Sequence, residues 1–216
     1  MTDLTLAAAA DLFRRPPDRF IDTGGGAVAY YRVGTGPDVV FSHGWPVSAA
    51  TWRTLLPYLA PHVTCHIIDH LGAGQSRFDR STTISLESHE QALRDVVDEL
   101  GLTDFAVVGH DSGAMIARYA FAGDERVRSW GLIDTEQPPK PHWRFSSFLA
   151  IRNVPRFEAL IARVFGMPRL RRFKLLGGDL FHDRSLLDGE FDEFFLRPLR
   201  DDPDRLACRP NRVVWP

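Results

Sequence analysis

Gly109-His110-Asp111-Ser112-Gly113 sets a carboxylate beside a hydroxyl between two glycines. A β-rich apolar run, Phe105 to Val108, precedes it, and a helix-like run, Ala114 to Ala122, follows. In that setting a G-x-nucleophile-x-G pattern predicts a strand that turns sharply into a helix, with the middle residue at the tip. Glycines flank such a turn because the tip residue is strained and neighbouring backbones pass close. The register puts Asp111, not Ser112, at the tip. A serine there would suggest an esterase or lipase. An aspartate has an unperturbed pKa near ~3.9, so it is ionised at neutral pH and needs no base to activate it. It can displace a halide or open an epoxide at carbon, leaving an alkyl ester on Asp111 whose hydrolysis then needs a general base. The five residues alone leave one alternative open, an aspartate that simply caps the next helix.

The elements around this turn alternate. Arg19 to Asp22 and Ala27 to Val33 read as strands joined at Gly24-Gly25-Gly26, which lacks dinucleotide-loop spacing and predicts a hairpin. Val39-Val40-Phe41 is a short buried strand ending in His43-Gly44-Trp45-Pro46. A helix carrying Trp52, Leu55, Leu56 and Leu59 follows, then a strand from Val63 to Ile68. Asp69-His70-Leu71-Gly72-Ala73-Gly74-Gln75-Ser76 comes directly after it. Ile84 to Leu100 predicts the best helix, with Ser88 and Gln91 as a capping box and Gly101 as its stop. Trp130 to Ile133 is a sixth strand, ending at Asp134. Such alternation implies an α/β fold, a mostly parallel sheet with helices on both faces. The pattern breaks at Pro138-Pro139-Lys140-Pro141, and from there to about Arg205 the chain reads as helical. The expected organisation is a core over 1–137, a helical cap over 138–205 set at the carboxyl edge of the sheet, and a tail over 206–216.

Three motifs in fixed order, His43-Gly44-Trp45-Pro46, Asp69-x-x-Gly72-x-Gly74-x-Ser76 and Gly109-His110-Asp111-Ser112-Gly113, resemble the α/β-hydrolase fold. Within it they are similar to the epoxide hydrolase and haloalkane or haloacetate dehalogenase branch with an aspartate nucleophile. The resemblance implies that Asp111 is the nucleophile and that backbone N–H groups of Trp45 and Ser112 form the oxyanion hole. It implies that Asp134 orients the base histidine, with Glu136 in reserve. Trp45 and Trp143 are implied donors to a leaving halide, and His142-Trp143 resembles a His-Trp pair of the haloacetate cap. The chain also departs from its branch. All four tyrosines, Tyr30, Tyr31, Tyr58 and Tyr119, precede the cap where epoxide hydrolases carry theirs, and Ser112 and Met115 stand where haloacetate dehalogenases carry arginines.

The resembled fold ends in two further strands and a histidine, whereas no histidine follows His182 here. The last strands and the base are therefore expected to be missing, with His43, His66, His70 and His110 structural. Two functions stay open: a hydrolase forming an alkyl ester on Asp111 from a small organic halide or epoxide, or a disabled fragment or ligand-binding protein built on the same pocket.

Composition narrows the partners. The net charge is −2, and no basic patch interleaved with aromatics suggests nucleic acid. Arginine outnumbers lysine 24 to 2, read as compositional bias. Cys65 and Cys208 form neither a metal spacing nor a disulfide framework. Met1 to Ala10 makes a poor signal peptide, and no apolar run approaches the ~20 residues that span a bilayer. The expectation is a cytoplasmic protein with a small-molecule substrate, no cofactor and no metal.

Overall fold

The computed structural model describes residues 4–45, 47–79, 82–135, 163–164, 166–173 and 187–201. Six short, β-branched and aromatic runs become strands β1 (Arg19–Thr23), β2 (Gly26–Gly34), β3 (Asp38–Ser42), β4 (Thr64–Ile68), β5 (Phe105–His110) and β6 (Val127–Ile133). They form one sheet in the order β1-β2-β4-β3-β5-β6. β1 and β2 are an antiparallel hairpin, β2 is antiparallel to β4, and the pairs β4–β3, β3–β5 and β5–β6 are all parallel. All five residues of β4 are buried, as a strand covered on both faces requires.

The parallel pairing runs β3 and β5 in the same direction, so their carboxyl ends, with Ser42 opposite Gly109, open on one edge of the sheet. That edge gathers the three motifs. On one face, helix α3 (Leu86–Glu99) buries Ala92, Leu93, Val96 and Val97 in a core shared with Val40, Phe105, Val107 and Phe121. Helix α4 (Ser112–Ala120) adds Ile116, Ala117 and Ala120 to the same core.

Several boundaries differ from the sequence expectation. α3 is capped by Ser85, whose side chain takes the Ser88 N–H while Ser88 Oγ takes the Ser85 N–H, one turn before the expected Ser88–Gln91 box. The expected helix over Trp52 to Leu59 is a 3₁₀ turn (Ala49–Trp52) and a four-residue helix α2 (Leu56–Leu59), because Pro57 brings no N–H to a continuous ladder. β6 begins at Val127 rather than Trp130. An N-terminal helix α1 (Leu6–Leu12), capped by Thr5, went unforeseen although its LAAAADL run is a strong helix former. Gln75 ties the chain beyond it to the loop after β4 by donating to the carbonyls of Phe13 and Arg15.

The chain divides after Thr135 into two compact units, the second running from Glu136 to Ala207. Its described residues include helical stretches: Pro168–Arg171, a π-helical turn Asp192–Leu196 and Arg197–Asp201. Leu187, Phe191, Phe194, Phe195 and Leu196 are buried there, with the Phe191 and Phe195 rings edge-on at 5.3 Å between centroids. Among the described residues no helix is long and apolar enough to cross a membrane.

Candidate active site

β5 delivers Asp111 to the carboxyl edge of the sheet, and α4 starts at the next residue. Asp111 has φ 52° and ψ −132°, a left-handed conformation that a side chain with a Cβ rarely adopts and that costs about 1–3 kcal/mol. Its N–H donates to Ile133 O at 3.0 Å, and its carbonyl accepts from Ala114 N at 3.0 Å. Both flanking glycines are steric necessities. A Cβ on Gly109 would lie 2.4 Å from Ala114 Cα, and one on Gly113 would lie 2.3 Å from His43 O. The turn is thus wedged between the ends of β3 and β6.

The two oxygens of the Asp111 carboxylate are inequivalent. Oδ2 accepts from Trp45 N–H at 3.2 Å and from the Ser112 hydroxyl at 3.3 Å. Trp45 N–H also donates to Ser112 Oγ at 3.0 Å, so it is shared between the two. Oδ1 has no hydrogen-bond partner among the described residues. Gly44 makes room for this arrangement, since a Cβ there would stand 2.5 Å from Oδ2. At Asp111 no side-chain cap to α4 forms, which removes the helix-cap alternative. Trp45 itself is 57% exposed.

Several described histidines lie near the turn. His43 Nε2 accepts from His70 N–H at 3.0 Å, so its proton sits on Nδ1 and goes to Gly44 O at 2.8 Å. Burial pushes its pKa down, against the pull of the nearby Asp69 carboxylate. Ser42 Oγ donates to Gly113 O at 2.8 Å, so the His70 Nε2–H must be the donor in its 2.8 Å bond to Ser42 Oγ. Burial, then the His43 and His89 rings, hold His70 well below the usual histidine range. His66 is spent on Tyr30 and Asp38. Among the described residues no histidine hydrogen-bonds to Asp111. The side chains of His43, His66 and His70 thus bond to the backbone and to Ser42, Tyr30 and Asp38 rather than to the Asp111 carboxylate.

Asp69 is the buried carboxylate that could be mistaken for a catalytic one. Its oxygens accept from Ala49 N at 2.7 Å, Gln75 N at 2.8 Å and Tyr31 OH at 3.3 Å. A Cβ on Gly74 would fall 1.9 Å from its Cγ, so the loop closes directly over it. Ser76 completes the motif by donating to Asp69 O at 2.6 Å and accepting from Ala29 N at 2.9 Å. The Asp69-to-Ser76 motif is a clasp across the ends of β2 and β4.

Asp134 follows β6 directly. His110 pairs with Ile133, so Asp111 and Asp134 leave neighbouring strands one residue past the same pair, and Asp134 too has positive φ, 44°. Its side chain is exposed. Glu136, His142, Trp143, His182 and Cys208 lie outside the described residues. Two features escaped the sequence reading: the hydroxyl, rather than only the backbone, of Ser112 reaches Oδ2, and Ser42 anchors the turn from β3. A serine closing a buried strand was the sole signal for the second. Among the described residues no cluster of histidine, cysteine or carboxylate side chains is arranged to hold a metal.

The sequence profile of the alpha/beta hydrolase fold matches residues 37–204. Haloalkane dehalogenase 2 of Mycobacterium tuberculosis is 28% identical over 218 residues, covering 91% of this chain and 76% of that protein. The soluble epoxide hydrolase of Corynebacterium sp. (strain C12) is 36% identical over 102 residues, 45% of this chain and 33% of that one. Among solved structures, the epoxide hydrolase CorEH without ligand superposes with a TM-score of 0.68 at 23% identity, over 89% of this chain and 71% of that chain. An ancestral haloalkane dehalogenase superposes with a TM-score of 0.63 at 22% identity, over 89% and 67%.

Proposed function

Because this chain belongs to the alpha/beta hydrolase fold family, we propose that it is a hydrolase whose Asp111 takes up the alkyl group of a small organic halide or epoxide as an ester. The observation that carries this reading is the inequivalence of the Asp111 oxygens. Oδ2 is held by two donors and Oδ1 is left with none among the described residues. An ionised carboxylate so held attacks through Oδ1, and its Oδ2 becomes the ester carbonyl already seated in donors. In the first step the Oδ1–carbon bond forms as the carbon–halogen or epoxide carbon–oxygen bond breaks. The halide leaves as an anion, or the epoxide oxygen takes a proton from water.

In the second step water attacks Cγ, the alcohol departs with Oδ1, and the charge that forms on Oδ2 is met by Trp45 N–H. Ser112 N–H, a first-turn donor of α4 with no partner among the described residues, completes the hole. Asp134, beside Asp111 in register, is the acid partner that orients a base. The resemblance assigns the indole N–H groups of Trp45 and Trp143, together with His142, to the leaving group, His142 and Trp143 lying outside the described residues.

A second reading is a chain that forms the ester but does not turn it over; it is supported by the described part of the site, where no histidine hydrogen-bonds to Asp111. Incubation with allyl bromide or styrene oxide followed by intact-mass spectrometry tests the assignment. A single adduct mapping to Asp111 and absent in Asp111→Asn is expected. Labelling that survives Asp111→Asn refutes it, and sustained release of product refutes the single-turnover reading.

A further inference from the structure

Ser112 stands one residue past the tip, where its backbone belongs to the hole by position, but its side chain has a geometry of its own. Its Oγ is 3.0 Å from Trp45 N and 3.3 Å from Asp111 Oδ2. Oγ accepts the Trp45 N–H, so its own proton is free to point at Oδ2, the only acceptor within reach among the described residues. From this triangle we infer that the Ser112 hydroxyl is a catalytic donor of the oxyanion hole, beyond the two backbone N–H groups. The inference rests on Asp111 acting as the alkyl acceptor.

Charge on Oδ2 moves in opposite directions in the two steps. As Asp111 is alkylated, the carboxylate loses its negative charge and every hydrogen bond to Oδ2 weakens. A donor there stabilises the starting state more than the transition state and slows the step. When a nucleophile adds to Cγ, the carbonyl becomes an oxyanion and the same bonds strengthen. The Ser112 hydroxyl therefore restrains ester formation and promotes ester cleavage. It also divides the Trp45 N–H, which turns fully to Oδ2 once the oxygen bears a whole charge. A side chain that only packed the turn would move both steps together.

The experiment separates the two steps in the full chain with allyl bromide as the alkylating probe. Adduct formation on Asp111 is timed by intact mass. Excess reagent is then removed, and cleavage is timed after adding neutral hydroxylamine. Hydroxylamine adds to Cγ through the same oxyanion, leaving a hydroxamate on Asp111 and releasing the alcohol with Oδ1, so cleavage proceeds whatever supplies a base in the natural reaction. Loss of one well-aligned hole donor slows such a step about 10²–10³-fold. For a donor at 3.3 Å, a slowing of about tenfold or more is expected in Ser112→Ala, with faster adduct formation. Ser112→Thr, which keeps the hydroxyl, is expected to cleave within a few-fold of the unaltered chain, and it controls for disturbance of the turn. Equal slowing of both steps, no change in cleavage, or failure of threonine to restore it overturns the inference. No adduct on Asp111 in the unaltered chain overturns the parent assignment, and this inference with it.

Discussion

Replacing Asp69 by asparagine separates a structural carboxylate from a chemical one. Its Oδ1 takes Ala49 N–H at 2.7 Å and its Oδ2 takes Gln75 N–H at 2.8 Å, both from backbone donors whose direction is fixed. An asparagine in either orientation turns an NH₂ group toward one of those N–H groups. One charge-assisted bond is lost, worth about 1.5–3 kcal/mol, and the donor left facing it is buried without an acceptor. The other bond survives with a neutral oxygen. We therefore expect Asp69→Asn to cost about 3 kcal/mol, which at about 2–4 °C per kcal/mol for a chain of this size lowers Tm by roughly 6–12 °C. Urea unfolding at pH 7, read by circular dichroism, measures the first number, and calorimetry the second. The rate of Asp111 alkylation per folded molecule at low temperature should stay within a few-fold, because Asp69 makes no bond to the turn that holds Asp111. Asp111→Asn should show the converse, little change in stability and no adduct. A loss below 1 kcal/mol in Asp69→Asn, or loss of alkylation in a chain still folded, refutes the view of Asp69 as a clasp.

The same reasoning applies to Gly44 and to the buried imidazoles. Gly44→Ala forces a methyl to within 2.5 Å of Asp111 Oδ2, so the carboxylate must leave its donors. Adduct formation timed by intact mass should fall by about two orders of magnitude, as for a misplaced reacting group, while the circular dichroism spectrum is unchanged. His89 is pushed down to about 4 by burial first and by the His43 ring second. An unfolded chain titrates this residue near ~6.5, so between those values the unfolded state binds the extra proton. Stability is full above about pH 6.5 and is lost as the pH falls toward 4, the direction in which His43 and His70 also act. The urea midpoint should drop across that window, and His89→Gln should flatten the drop.

The sequence disclosed the six strands because β-branched runs and glycine turns are local signals. Val39-Val40-Phe41 and Phe105 to Val108 are read as strands without any partner in view, and the structure pairs them in parallel. Asp111 was legible for the same reason, since the glycines that its conformation demands lie within two residues of it. Helix boundaries were less legible where tertiary context decides. Ser85 and Ser88 are both plausible caps, and only the packing of Leu93, Val96 and Val97 chooses the register. The role of Asp69 was hidden entirely. Its partners Tyr31, Ala49 and Gln75 come from three separate segments, and no spacing along the chain announces that three donors will converge on one carboxylate.

The strained turn at Asp111 has a kinetic consequence. Its conformation is paid for by contacts with distant chain: Trp45 lies 66 residues before Asp111, and Ser42 lies 71 before Gly113. No peptide spanning the turn alone contains those partners, so in an unassembled chain the backbone at Asp111 relaxes to an ordinary conformation and Oδ2 loses its donors. Contacts of such separation close late, after β3 and β5 have found each other. The held carboxylate of Asp111 is therefore a property of the finished sheet rather than of its own segment. The onset of Asp111 reactivity during refolding dates the docking of β3 beside β5.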